Sequence, residues 1–257
     1  MLLAIDVGNT NIKYGIYDGK KLVASFRASS RISRTADEYG SVLVNLLSDS
    51  GLDKKGIDGI IVSSVIPTLN YTICHMCEYF FGISPIMVGP GIKTGLNVKV
   101  ENAKEVGADR IVNSVSAYNK YGNKGCPIVV IDFGTATTFN VLDKTGCLIG
   151  GVIAPGIKTA LESLVKSTAQ LPMIELVSPK KAIAKNTETN MQAGIIFGFA
   201  GLVENILKKI SNELGEDVYV VATGGLGEII AKEVEMIRKV DRTLTLDGLR
   251  MIYELNK

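Results

Sequence analysis

The chain has 257 residues, 46% apolar and 21% charged, which is enough for two domains with ordinary globular cores. Lysine and arginine number 28 against 26 acidic residues, a net charge of +2, and no basic run occurs, so nucleic acid is not an expected partner. The opening Met1-Leu2-Leu3-Ala4-Ile5-Asp6 has no basic leader, and the apolar stretch around Ile195 to Val203 is shorter than the roughly 18 residues of a membrane span, so a cytoplasmic, membrane-free protein is expected.

Leu2 to Ile5 reads as a strand and Asp6-Val7-Gly8-Asn9-Thr10-Asn11 as a polar loop. Ile12 to Tyr17 alternates as a second strand, Asp18-Gly19 is a hairpin turn, and Leu22 to Arg27 is a third strand. Thr35 and Glu38 have the spacing of a capping box, opening a helix to about Asp49. Gly59 to Val65 is a buried strand, Pro67 to Phe81 a helix, Ile86 to Val88 a short strand, and Asn102 to Tyr121 one helix. Cys74 and Cys77 form a CxxC without a second close pair, so buried or half-buried thiols are favoured over a metal or redox site. His75 is the one histidine, and no nucleophile motif surrounds it, which argues against triad hydrolysis.

The polar, Gly-rich stretch Asn119 to Cys126 marks a domain boundary, giving domains 1–122 and 123–257. Beyond it Ile128 to Thr137 repeats the N-terminal plan: an apolar strand, then Asp132-Phe133-Gly134-Thr135. Thr138 to Leu142, the turn Asp143-Lys144-Thr145-Gly146 and Cys147 to Ile149 complete the copy. The two aspartates, Asp6 and Asp132, stand about half a chain apart, so an α/β fold of two duplicated domains is expected. A helix is expected from Ile157 to Ser167, and a connection over Leu171 to Lys185. Thr189 to Leu214 reads as one helix or two, broken or tightly packed at Gly194, Gly198 and Gly201. Asp217 to Ala222 is a strand, Thr223 to Gly227 a Gly-rich turn, and a helix starts at Glu228.

Three groups of residues can carry chemistry. Asp-x-Gly at two strand ends lets backbone approach phosphate oxygens, with Asn9, Thr10 and Thr135 as donors, Lys13 as a point charge and the aspartates as partners for a hydrated cation. No Gly-x-x-x-x-Gly-Lys-Ser/Thr run is present, so this is not a P-loop protein. Gly224 to Gly227 fits either a nucleoside contact or a tightly packed helix cap. In Gly107-Ala108-Asp109-Arg110 the acid and the base are adjacent on a helix and do not face each other. One can serve a reacting hydroxyl and the other a substrate carboxylate.

Together these segments resemble the type III pantothenate kinases over nearly the whole chain. The resemblance is carried by Asp6 to Lys13, Gly89-Pro90-Gly91-Ile92-Lys93-Thr94-Gly95-Leu96, Gly107 to Arg110, Asp132 to Thr137, Gly150-Gly151-Val152-Ile153-Ala154-Pro155-Gly156 and Asn186-Thr187. It implies duplicated ribonuclease-H-like domains of the actin and sugar-kinase type, with mixed sheets flanked by helices. It further implies a homodimeric enzyme that phosphorylates pantothenate with ATP in the first step of coenzyme A synthesis, using magnesium and a monovalent cation, potassium or ammonium. On this resemblance Asp6, Val7, Gly8, Asn9, Thr10, Asn11, Ile12, Lys13 and Thr135 contact ATP. Asp109 is the proton acceptor, Gly107, Ala108, Asp109, Arg110 and Thr187 contact pantothenate, and Asp132 holds the monovalent cation. Val100 stands where many members of that family carry Tyr, and Asn102-Ala103 replaces a common Asn-Pro, so a differently lined substrate pocket is expected. Two other readings are a kinase of the same superfamily with another small substrate, and a nucleotide-binding regulatory protein. Retention of Asp6, Asp109 and Asp132 favours catalysis.

Overall fold

Continuous apolar runs at β1 and β4, flanked by strands of more alternating pattern, set the first sheet. The computed structural model describes residues 1–32 and 34–257. Strands β1 (Leu2–Val7), β2 (Asn11–Asp18) and β3 (Lys21–Ser29) form an antiparallel meander. Helix α1 (Ala36–Asp49) then leads to β4 (Gly59–Ser64), helix α2 (Pro67–Phe81) and β5 (Ile86–Met87), both strands parallel to β1. Helix α3 (Ala108–Tyr121) precedes a second meander, β6 (Ile128–Phe133), β7 (Ala136–Leu142) and β8 (Leu148–Pro155). Helices α4 (Ile157–Lys166) and α5 (Thr187–Leu214) follow, then β9 (Tyr219–Gly224), α6 (Gly227–Ala231), β10 (Ile237–Val240) and α7 (Leu244–Asn256). The sheet orders are β3-β2-β1-β4-β5 and β8-β7-β6-β9-β10, with the same parallel and antiparallel pairings in each. The expected duplication is therefore present strand for strand.

The chain forms two compact units. One comprises Met1–Leu96, Asn102–Ser116 and Thr243–Lys257, the other Asn97–Glu101 and Ala117–Arg242. In the first, Leu3, Ile5 and Val7 pack with Leu43, Leu47, Ile73 and Met76 of α1 and α2. The alternate residues Leu2 and Ala4 pack with Val112, Val115, Leu249 and Ile252 of α3 and α7. Asp6 follows Leu2 and Ala4 in the period-2 series, so it lies on the α3 side. In the second unit Val129, Ile131 and Phe133 pack under Phe199, Val203 and Leu207 of α5, leaving Asp132 on the other face. Full burial of each such aliphatic side chain contributes roughly 1.5–3 kcal/mol.

The capping box at α1 is present: Thr35 Oγ1 accepts from Glu38 N (3.3 Å), and the Glu38 carboxylate accepts from Thr35 N (2.7 Å). That backbone N–H donor holds the Glu38 carboxyl below its ordinary value. Thr35→Ala is expected to lower stability by about 1 kcal/mol and the thermal midpoint by roughly 2–4 °C, read by calorimetry. An unchanged midpoint would show that the cap is energetically idle.

Several expectations are corrected. The helix predicted over Asn102–Tyr121 is two pieces, a 3-10 turn at Ala103–Glu105 and α3 from Ala108. Asn102 donates to Glu105 Oε1 (2.6 Å), Val106 is extended, and Gly107 is a poor helix former, so the helix restarts just before Asp109. Helix α5 is continuous over 28 residues. A methyl group placed on Gly194, Gly198 or Gly201 would meet nothing within 4 Å among the described residues, so those glycines do not break the helix and serve no close packing within this chain. Strand β8 runs through Gly150-Gly151 to Pro155 instead of ending at Ile149. Cys74 and Cys77 are free thiols raised by burial, Cys77 to about 12, and Cys74 Sγ lies 3.7 Å from Met87 Sδ. Among the described residues no helix is long and apolar enough to cross a membrane.

Candidate active site

The first unit gathers two of the predicted groups. Asp6, one residue before the end of β1, lies between Lys13 of β2 and Ser63 of β4, its register partners on either side. Its Oδ1 accepts from Ser63 Oγ at 2.7 Å, and Lys13 Nζ lies 3.3 Å from Oδ2. The following loop is braced: Gly8 N donates to Asn11 O (3.0 Å), Ser30 Oγ to Gly8 O (2.6 Å) and Ser30 N to Thr10 O (3.1 Å). Asn9 and Asn11 are exposed. Val7 and Ile12 send their side chains into the core, so only their backbone could face a ligand.

Val65 joins this loop to the start of α3. Its N–H donates to Val7 O (3.0 Å), and its Cγ1 lies 3.8 Å from where a Cβ on Gly107 would sit. Asp109 Oδ1 accepts from Arg110 N (2.8 Å) and would be 2.6 Å from that same Cβ. Glycine at 107 thus gives the Asp109 carboxylate its place, and Ala108 opens the helix. The helix N-terminus favours a negative charge at Asp109. Arg110 is half-buried; burial lowers its guanidinium from the ordinary value, and the Asp109 charge opposes that.

The second unit holds the duplicated turn. Gly134 N donates to Ala136 O (3.1 Å). Thr135 is exposed, and its carbonyl accepts from Gly156 N (3.1 Å) and Thr159 Oγ1 (2.7 Å). Asp132 packs against Gly224, whose φ of +93° suits glycine and where a Cβ would lie 2.7 Å from Asp132 Oδ1. The Gly224 turn thus shapes the space around Asp132. Thr187 begins α5, capped by Asn186, whose Oδ1 accepts from Thr189 N (2.9 Å). Thr187 lines an open groove of about 600 Å³ with Leu164, Leu171, Asn190, Met191, Gly194 and Ile195. Val100 follows a bridge between Val98 and Leu148 of β8 in this unit.

Hard cations take oxygen ligands, so the carboxylates of Asp6 and Asp132 suit magnesium or potassium in donor type. Among the described residues no group of three or more His, Cys, Asp or Glu could hold a metal, so each carboxylate would share a cation with water, carbonyl and phosphate oxygens. Sequence reasoning missed Ser63, Ser30 and Thr159, and gave no role to Gly156. The duplication offered one signal, since β4 and β9 both end on a hydroxyl residue or beside one.

A family model described as type III pantothenate kinase matches residues 2–209. A Campylobacter jejuni structure, provisionally described as a Baf family transcriptional activator, is 18% identical over 99% of this chain and 98% of its own, with a TM-score of 0.61. A Sinorhizobium meliloti structure, provisionally described as a 2-dehydro-3-deoxygalactonokinase, is 12% identical over 100% of this chain and 96% of its own, with a TM-score of 0.61. A Listeria monocytogenes structure, provisionally described as an N-acetylmannosamine kinase, is 12% identical over 100% of this chain and 99% of its own, with a TM-score of 0.53. At such identities these structures speak for the duplicated sugar-kinase-type fold alone. Since the family model spans most of the chain, including both Asp-x-Gly turns and the Asp109 helix, this protein belongs to the type III pantothenate kinase family.

Proposed function

We propose that this chain transfers the γ-phosphoryl group of ATP to the hydroxyl of pantothenate. The observation that carries the reading is Asp109: a carboxylate at a helix start, fitted against Gly107 and linked through Val65 to the Asp6 loop. In this mechanism the backbone and polar side chains of Asn9 to Asn11, with Lys13, bind phosphate oxygens, Gly8 gives them close approach, and Thr135 contacts the nucleotide. Asp109 orients the hydroxyl and accepts its proton as the oxygen attacks in line. Arg110 offers a guanidinium fork to the pantothenate carboxylate, and Thr187 a hydroxyl to the same substrate. Magnesium on the nucleotide and a monovalent cation at Asp132 would supply charge neutralisation for the transferring group. A homodimer in the cytoplasm completes the proposal.

The test is ADP release from ATP by purified protein, with and without pantothenate, in potassium and then sodium buffer. Pantothenate-dependent release that requires potassium is expected. Release that needs a different alcohol would overturn the substrate. Nucleotide binding without turnover on any acceptor would favour a regulatory role, in line with the description of the Campylobacter jejuni structure.

A further inference from the structure

We propose that Ser63 is a positioning residue of the phosphate site: its hydroxyl fixes one oxygen of Asp6, so that the carboxylate is oriented for a magnesium-bound nucleotide. The inference rests on the reading of Asp6 as an ATP-site residue. Ser63 is fully buried directly after the core residues Ile60, Ile61 and Val62 of β4. A hydroxyl there is unfavourable unless it is hydrogen-bonded, and it donates to Asp6 Oδ1 at 2.7 Å. Asp6 is itself only 6% exposed. Its side chain is held from both sides, by Ser63 on β4 and by Lys13 on β2.

The second half of the chain repeats the placement. Thr223, 2% exposed, is the register partner of Asp132 on β9, after the buried run Val220-Val221-Ala222. Each strand-end aspartate thus has a buried hydroxyl residue beside it on the neighbouring parallel strand. A core position that needed only volume would take valine or alanine at either place. What recurs is the register pairing of a buried hydroxyl residue with the aspartate, and at Asp6 the hydrogen bond itself is formed.

Calorimetric titration of ATP, in magnesium and then in EDTA, into the wild type, Ser63→Ala and Ser63→Thr separates the outcomes. Ser63→Ala is expected to lower the thermal midpoint by a few degrees, because Asp6 loses a buried hydrogen bond, and to weaken magnesium-ATP binding roughly tenfold while leaving ATP binding in EDTA unchanged. Ser63→Thr, which copies the residue at 223, is expected to restore the magnesium-dependent part. Equal magnesium-ATP affinity in the wild type and Ser63→Ala would overturn the role of Ser63 alone. Equal weakening with and without magnesium would assign Ser63 to packing and also overturn it. A wild type that binds no nucleotide would overturn the reading of Asp6 on which the inference stands.

Discussion

Asp109→Asn is expected to lower turnover by a factor on the order of 10²–10⁴ while leaving nucleotide affinity intact, because it removes the proposed general base and little else. The amide matches the carboxylate in size, and its oxygen can still accept the Arg110 N–H that Asp109 Oδ1 accepts. Helix α3 should therefore start as before, with Gly107 still fitted against the side chain. What is lost is the capacity to take the hydroxyl proton as the phosphoryl group transfers. Steady-state rates with saturating ATP and pantothenate, together with ATP titration, make the comparison. A folded variant with near-normal turnover would remove Asp109 from the role of base.

Gly156→Ala should disturb the Thr135 turn, a proposed nucleotide contact within the second unit. Gly156 has φ −71° and ψ 150°, which any residue adopts, so the cost is steric. A Cβ there would sit 2.2 Å from Thr135 O and 2.5 Å from Gly134 O. Both are backbone atoms of the turn that follows Asp132, and no side-chain rotation relieves the clash. The turn must move, and the bonds from Gly156 N and Thr159 Oγ1 to Thr135 O must lengthen. Stability is expected to fall by about 1–3 kcal/mol, as for overpacked interiors. ATP affinity is expected to fall with it, since Thr135 shifts. Gly198→Ala is the control: a methyl group there meets nothing within 4 Å, and alanine is the better helix former. Wild-type ATP binding by Gly156→Ala would show that the Thr135 turn is not a nucleotide contact.

Much of this molecule was legible in the sequence. Strands announce themselves by short apolar runs or by alternation, hairpins by Asp18-Gly19 and Asp143 to Gly146, and α1 by its Thr35–Glu38 box. These signals reside in neighbouring residues, so no tertiary contact is needed to read them. The repeated strand followed by Asp-x-Gly carried the duplication, and with it the two five-stranded sheets of matched order. The candidate site was legible where it coincides with those turns and with Gly107 to Arg110.

Tertiary contact decided the remainder. Helix α7 returns to the first unit, where Leu249 and Ile252 cover Leu2 and Ala4 across nearly the whole chain length. Ser63 reaches Asp6 over a separation of 57 residues. The sequence by itself determined the elements and their repetition, because period, turn chemistry and capping are local properties of the chain. Which hydroxyl orients which carboxylate, and where a glycine leaves room for one, was decided only on folding, when strands far apart in sequence came into register.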